Sequence, residues 1–192
     1  SEKKITSEVC IHHLWFDDSQ YDTKGSHIKW NPAVKTAADR DGLWEALLDD
    51  RLDVVATDHA PHTLEEKDNK YLTAPSGGPL VQHALVAMLE KVKEGKITIE
   101  RVVEKMAHAP ATLFKIEGRG FIREGYYADL VVVNPKANQT VEKSNILYSC
   151  AWSPFEGLSF QNTVEKTFVN GNLVFDGKIV EGTNGMRLRF DR

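Results

Sequence analysis

The chain has 192 residues, 41% of them hydrophobic and 27% charged, a balance that excludes disordered and fibrous classes and allows a buried core. Its net charge of -4 gives no excess of Lys and Arg for binding nucleic acid or an anionic membrane, and no apolar run reaches the ~18–20 residues of a membrane span. The length suits one domain, or a large and a small module, and falls short of a complete (β/α)8 barrel at roughly 200–250 residues.

The chain starts Ser-Glu-Lys-Lys without an initiator methionine and runs into a strand-like stretch, Ile5–Ile11, instead of a signal peptide. Such a start is expected of a piece of a longer protein. Cys10 and Cys150 cannot form a disulfide framework for a chain this size and read as buried free thiols in a reducing, cytoplasmic compartment. His12 and His13 follow the first strand-like run; adjacent strand residues point to opposite faces, so at most one would face a site. Trp30-Asn31-Pro32 is a rigid turn, and the Asn31 amide both donates and accepts hydrogen bonds.

Leu43, Trp44, Leu47, Leu48 and Leu52 fall at helical spacing, with Asp41, Glu45, Asp49 and Asp50 mostly opposite. A buried-type strand follows, Asp53-Val54-Val55-Ala56-Thr57, and breaks into Asp58-His59-Ala60-Pro61-His62. Ionisable residues directly after a buried parallel strand occupy the place where α/β proteins keep their chemistry. A carboxylate there can ligate a divalent metal through one oxygen and accept a proton through the other. Ser76-Gly77-Gly78 precedes a helix and could offer backbone N–H groups to an anion, but it lacks the Lys-Ser/Thr of a phosphate loop.

Pro79 suits the first turn of a helix with its apolar face at Leu80, Val81, Ala84, Leu85, Met88, Leu89 and Val92, closed by Gly95. Thr98 caps the next helix, expected to bury Ile99, Val102, Val103 and Met106, and Pro110 starts another. Beyond residue 117 the texture turns β-rich: Ala128–Val133 reads as a strand, and Asn170-Gly171 and Asp176-Gly177 as hairpin turns. Alternating strands and helices over 1–117 point to a parallel sheet with crossovers, and the strands of 118–192 to a small antiparallel meander. His27, His83 and His108 stand alone and read as structural. No His-x-His occurs anywhere, so the chain offers one convincing metal ligand, Asp58, and no complete set.

The run Asp53–Lys67, with Thr57-Asp58-His59-Ala60-Pro61-His62 at its centre, closely resembles the dihydroorotases of the amidohydrolase superfamily. Ser7–Leu14 resembles the family's seventh barrel strand, Lys29–Lys35 its substrate-contacting turn, and Gly125–Val133 the return into its small β domain; the ending Thr167–Gly171 also fits. The resemblance implies an α/β fold: the C-terminal part of a metal-dependent (β/α)8 TIM barrel over 1–117, and part of a small β-sandwich over 118–192. It implies a zinc-dependent cyclic amide hydrolase interconverting N-carbamoyl-L-aspartate and dihydroorotate in pyrimidine biosynthesis, with one or two zinc ions whose remaining ligands lie outside this chain. By resemblance Asp58 is both metal ligand and general base, Asn31 binds substrate, His62 holds the substrate carboxylate, and Ser76 with Gly77 contact the ring through their backbone. The implied partners are the small-molecule substrate, the N-terminal part of the same enzyme and further copies in a homo-oligomer. Two other readings stay open: a hydantoinase or allantoinase relative, and a non-catalytic dihydroorotase-like subunit that scaffolds a carbamoyltransferase.

Overall fold

A computed structural model describes residues 5–182 and 185–191. In chain order its regular elements are β1 (Glu8–Cys10), α1 (Ile11–Trp15), α2 (Tyr21–Lys24), α3 (Ala37–Leu48), β2 (Val54–Ala56), α4 (Leu64–Lys67), α5 (Ala84–Lys93), α6 (Ile99–Val103), α7 (Ala109–Leu113), β3 (Leu130–Asn134), β4 (Gln139–Thr140), β5 (Ser159–Phe160), β6 (Thr163–Val169) and β7 (Asn172–Asp176). They fall into two compact units, residues 1–88 with 140–160 and residues 89–139 with 161–192. Among the described residues no helix is long and apolar enough to cross a membrane.

The first unit is built on a parallel pair, β1 with β2, registered as Glu8 on Val54, Val9 on Val55 and Cys10 on Ala56. Parallel neighbours need a crossover, and α1 to α3 provide it. The Thr36 hydroxyl accepts from the Asp39 N–H while the Asp39 carboxylate accepts from the Thr36 N–H, a capping box that starts α3 well ahead of Leu43. Trp44 and Leu47 turn inward, Leu48 stays exposed, and the Trp44 indole donates to the Leu14 carbonyl at 2.9 Å. Strand ends are tied by the Asp53 carboxylate, which accepts from the Ser7 N–H at 2.8 Å. Residues 140–160 complete this core. Phe155 packs on Phe16 and Trp15 with ring centroids 5.4 Å apart, and Gln82 bonds both Asn145 and Leu147 at 2.8 Å. Phe155 and Phe16 are fully buried, and each contributes about 1.5–3 kcal/mol.

Three expectations change here. His12 and His13 lie in α1 and not on a strand, because the chain turns helical at Ile11. The helix expected from Pro79 begins at Ala84; the His59 imidazole accepts from the N–H groups of Leu80 and Val81 at 3.0 and 3.3 Å and holds residues 80–83 in a tighter turn. Both cysteines are half-buried, with Cys10 at a strand end instead of inside the core.

The second unit holds an antiparallel sheet in the order β3-β6-β7. Asn170 and Gly171 sit at φ 52° and 82°, the positive angles of a two-residue hairpin turn. The Arg119 guanidinium stacks on Tyr127, pairs with Asp129 and donates to the Asn170 amide oxygen at 2.6 Å. A π-helical turn at Glu104–His108 joins α6 to α7. Only Val102 of the expected α6 face is fully buried, while Ile99 and Val103 are 44% and 40% exposed and Met106 is half-buried. A five-residue helix turns few positions inward.

Candidate metal and substrate site

Asp58 follows the C-terminal end of β2, directly beside the end of β1 where Cys10 pairs with Ala56. Its backbone is left-handed, φ 46°, a region that aspartate tolerates better than most residues. That bend takes the carboxylate out of the strand and into the open. Cys10, His12 and Asp58 each present one donor atom, and the three atoms lie within 4.8 Å of one another.

The His12 ring is 0% exposed and stacks on Trp30 at 4.3 Å with planes 12° apart. Among the described residues neither of its nitrogens has a hydrogen-bond partner. Burial, with a smaller push from His13, drives its pKa down to about 2. Burial also pushes the Cys10 thiol up to about 12, reinforced by the negative charges of Asp58 and Glu8. A neutral imidazole and a neutral thiol therefore stand beside a carboxylate. This sulfur, nitrogen and oxygen donor set fits a zinc-type ion.

A cavity of about 580 Å³ opens beside the cluster, and Asp58, Asn31, Cys10, His13 and Lys35 line it. His13 Nε2 meets the Pro32 carbonyl at 2.9 Å and so steadies the turn that carries Asn31. His62, Ser76 and Gly77 form a neighbouring group outside that lining. His62 Nε2 lies 3.2 Å from the Ser76 carbonyl, its Nδ1 lies 3.6 Å from Glu66, and its own carbonyl accepts from Trp152 at 2.8 Å. A capping box between Thr63 and Glu66 opens α4 and places Glu66 against His62.

Lys67 locks this group. It is 0% exposed, and its ammonium donates to the carbonyls of Lys29, Pro75 and Gly77 at 3.3, 3.0 and 2.7 Å. Burial, and secondarily the Lys29 charge, lowers its pKa to about 8. The Gly77 N–H in turn donates to the Lys29 carbonyl at 3.0 Å. Gly77 has φ 124°, and a Cβ there would stand 2.7 Å from the Ala60 carbonyl oxygen, so only glycine fits.

Sequence reasoning missed Cys10, His12 and Lys67. Each lone histidine has a neighbour away from the Asp58 cluster: His27 meets Asp68 at 2.6 Å, His83 meets the Ser153 hydroxyl at 3.1 Å, and His108 stacks on Phe121 at 4.3 Å.

The model of the amidohydrolase family matches residues 4–174. A dihydroorotase of Halobacterium salinarum is 38% identical over 96% of this chain and 43% of its own length. A dihydroorotase of Endomicrobium trichonymphae is 34% identical over 90% of this chain and 41% of its own. Among solved structures, the L-hydantoinase (dihydropyrimidinase) of Arthrobacter aurescens superposes with a TM-score of 0.86 at 27% identity, covering 92% of this chain and 40% of that one. The chain thus spans about two fifths of the length of these relatives.

Proposed function

The chain belongs to the amidohydrolase family, and from that premise we propose that it is the C-terminal part of a dihydroorotase. Residues 1–117 would contribute the last part of a (β/α)8 barrel and residues 118–192 part of a β-sandwich. The parallel β1–β2 pair falls within the first range and the antiparallel β3-β6-β7 sheet within the second, although residues 89–117 cluster with that sheet and residues 140–160 with the pair. The whole enzyme would interconvert N-carbamoyl-L-aspartate and dihydroorotate, as a cytoplasmic homo-oligomer with zinc. The observation that carries this reading is Asp58, freed from β2 by its left-handed bend and sharing a cavity with Asn31.

Zinc, when bound, would polarise the amide carbonyl and stabilise charge developing on its oxygen, with Asp58 as the ligand from this chain. Asp58 would also accept the proton of the attacking water and pass it to the departing ring nitrogen. Asn31 would orient the substrate through its amide. His62 would hold the substrate carboxylate by giving up the Ser76 carbonyl that its Nε2 now faces, with Glu66 beside its Nδ1 keeping the ring oriented. Gly77 already engages its N–H and its carbonyl within the protein, so it would supply shape, and the exposed Ser76 the backbone contact to the ring.

The structural likeness to an L-hydantoinase favours one second reading, a hydantoinase-type cyclic amidohydrolase. The two differ at His62, because only a substrate with a free α-carboxylate needs a donor there. The test is Asp58→Asn in the full-length protein. Cyclisation of carbamoyl aspartate should fall by at least ~100-fold, the usual size of a general-base contribution, with near-ultraviolet circular dichroism unchanged. Turnover within tenfold of the parent would remove Asp58 from the reaction.

A further inference from the structure

The geometry points to a binding site for a thiophilic divalent cation, of the zinc and cadmium class, formed by Cys10, His12 and Asp58 at the C-terminal end of the β1–β2 pair. This extends the proposed role of Asp58 as a ligand to two residues that the resemblance leaves unassigned, and it does not depend on catalysis.

The three donor atoms lie within 4.8 Å of one another. Zinc bond lengths of ~2.0–2.3 Å set donor–donor edges of roughly 3.3–3.8 Å in a tetrahedron. At the longest separation, closing the cluster therefore takes about 1–1.5 Å of movement. Two of the ligands come from strands whose register is fixed, since Cys10 pairs with Ala56 and Asp58 follows two residues later. The third comes from the first turn of α1, where the stack on Trp30 holds the ring.

His12 is the strongest pointer. It is fully buried, and among the described residues neither of its nitrogens has a partner. Leaving a buried polar group unpaired is costly, and a metal bond at one nitrogen would remove part of that cost. The sulfur and imidazole donors select against Mg²⁺ and Ca²⁺, which take oxygen ligands. Asp58 is exposed in this chain, so an incoming ion reaches the cluster from its side. On binding, the Cys10 thiol becomes a thiolate and its proton passes to water.

The experiment titrates CdCl2 into the full-length protein and reads the ultraviolet thiolate-to-cadmium charge-transfer band. The band should saturate at one Cd²⁺ per chain, persist in Cys150→Ser and vanish in Cys10→Ser. A second reading needs no variant: one equivalent of Cd²⁺ should slow iodoacetamide alkylation of Cys10 at least tenfold, mapped by peptide mass, and leave Cys150 unchanged. No band, a band that survives Cys10→Ser, or unaltered alkylation of Cys10 overturns the site. Zinc-supported cyclisation is assayed in parallel. Turnover without the cadmium signature refutes this site and leaves the hydrolase reading intact, whereas the signature without turnover upholds the site and refutes that reading.

Discussion

His62 and Asp58 share one short loop and are expected to fail differently. Removing the His62 imidazole with Ala deletes one charge-assisted hydrogen bond to the substrate carboxylate, worth roughly 1.5–3 kcal/mol or about ten- to a hundredfold in affinity. Substrate affinity should fall by that factor while zinc stoichiometry, read by elemental analysis, stays put. Zinc lost with affinity kept would move His62 from the substrate to the metal. Lys67→Met keeps the stem and removes the ammonium, leaving the carbonyls of Pro75 and Gly77 without their donor. About 1–3 kcal/mol of stability per buried carbonyl is at stake, and the urea midpoint should drop accordingly. Asp58 was legible in the sequence because a run of β-branched residues ends just before it, which places it at a strand terminus. Cys10 and His12 were not. The switch from strand to helix between Cys10 and Ile11 has no side-chain cap to announce it, so a strand pattern extended past Cys10 misplaces His12. Lys67 was hidden for another reason: its three acceptors are backbone carbonyls, which leave no trace in residue identity.

Glycine substitutions separate the elements that serve the site from those that serve stability. At Gly77 an alanine would meet the Ala60 carbonyl oxygen at 2.7 Å and the Ala60 Cβ at 2.8 Å, with φ at 124°. Gly77→Ala should therefore displace the 75–78 loop and raise KM for carbamoyl aspartate well before it lowers the melting temperature. At Gly120 the added Cβ would stand 2.3 Å from the Ala111 Cβ, with φ at 80°. Gly120→Ala should cost about 1–3 kcal/mol through overpacking against α7, read as a lower urea midpoint. Equal effects of the two substitutions on KM would show that the 75–78 loop has no privileged link to substrate. The same elements show where a sequence speaks. Asn170-Gly171 announces its hairpin because few other pairs accept two positive φ angles. The π turn at Glu104–His108 is silent, since a single wider turn changes no residue preference.

For the molecule as a whole, acid sensitivity follows from its buried imidazoles. Burial lowers the pKa of His83 from 6.5 to about 4. The unfolded chain therefore binds more protons than the folded one between those values, and stability is full above pH 6.5 and falls as pH drops toward 4. The slope is at most about 1.4 kcal/mol per pH unit for each such group. His83→Asn keeps an acceptor for the Ser153 hydroxyl but cannot titrate, so the pH dependence of the urea midpoint should flatten by up to one proton. An unchanged slope would show that His83 is not the group responsible. The order in which the chain is made carries a different consequence. The first unit needs residues 140–160, yet all of 89–139, which belongs to the second, lies between. At ~5–20 residues per second that intervening stretch occupies a ribosome for roughly 3–10 s. Throughout that time Trp15 and Phe16 are already synthesised while Phe155, against which they pack, is not. A nascent chain of this protein carries an open aromatic surface for seconds, which makes it a client for holdase chaperones during translation and not only after it.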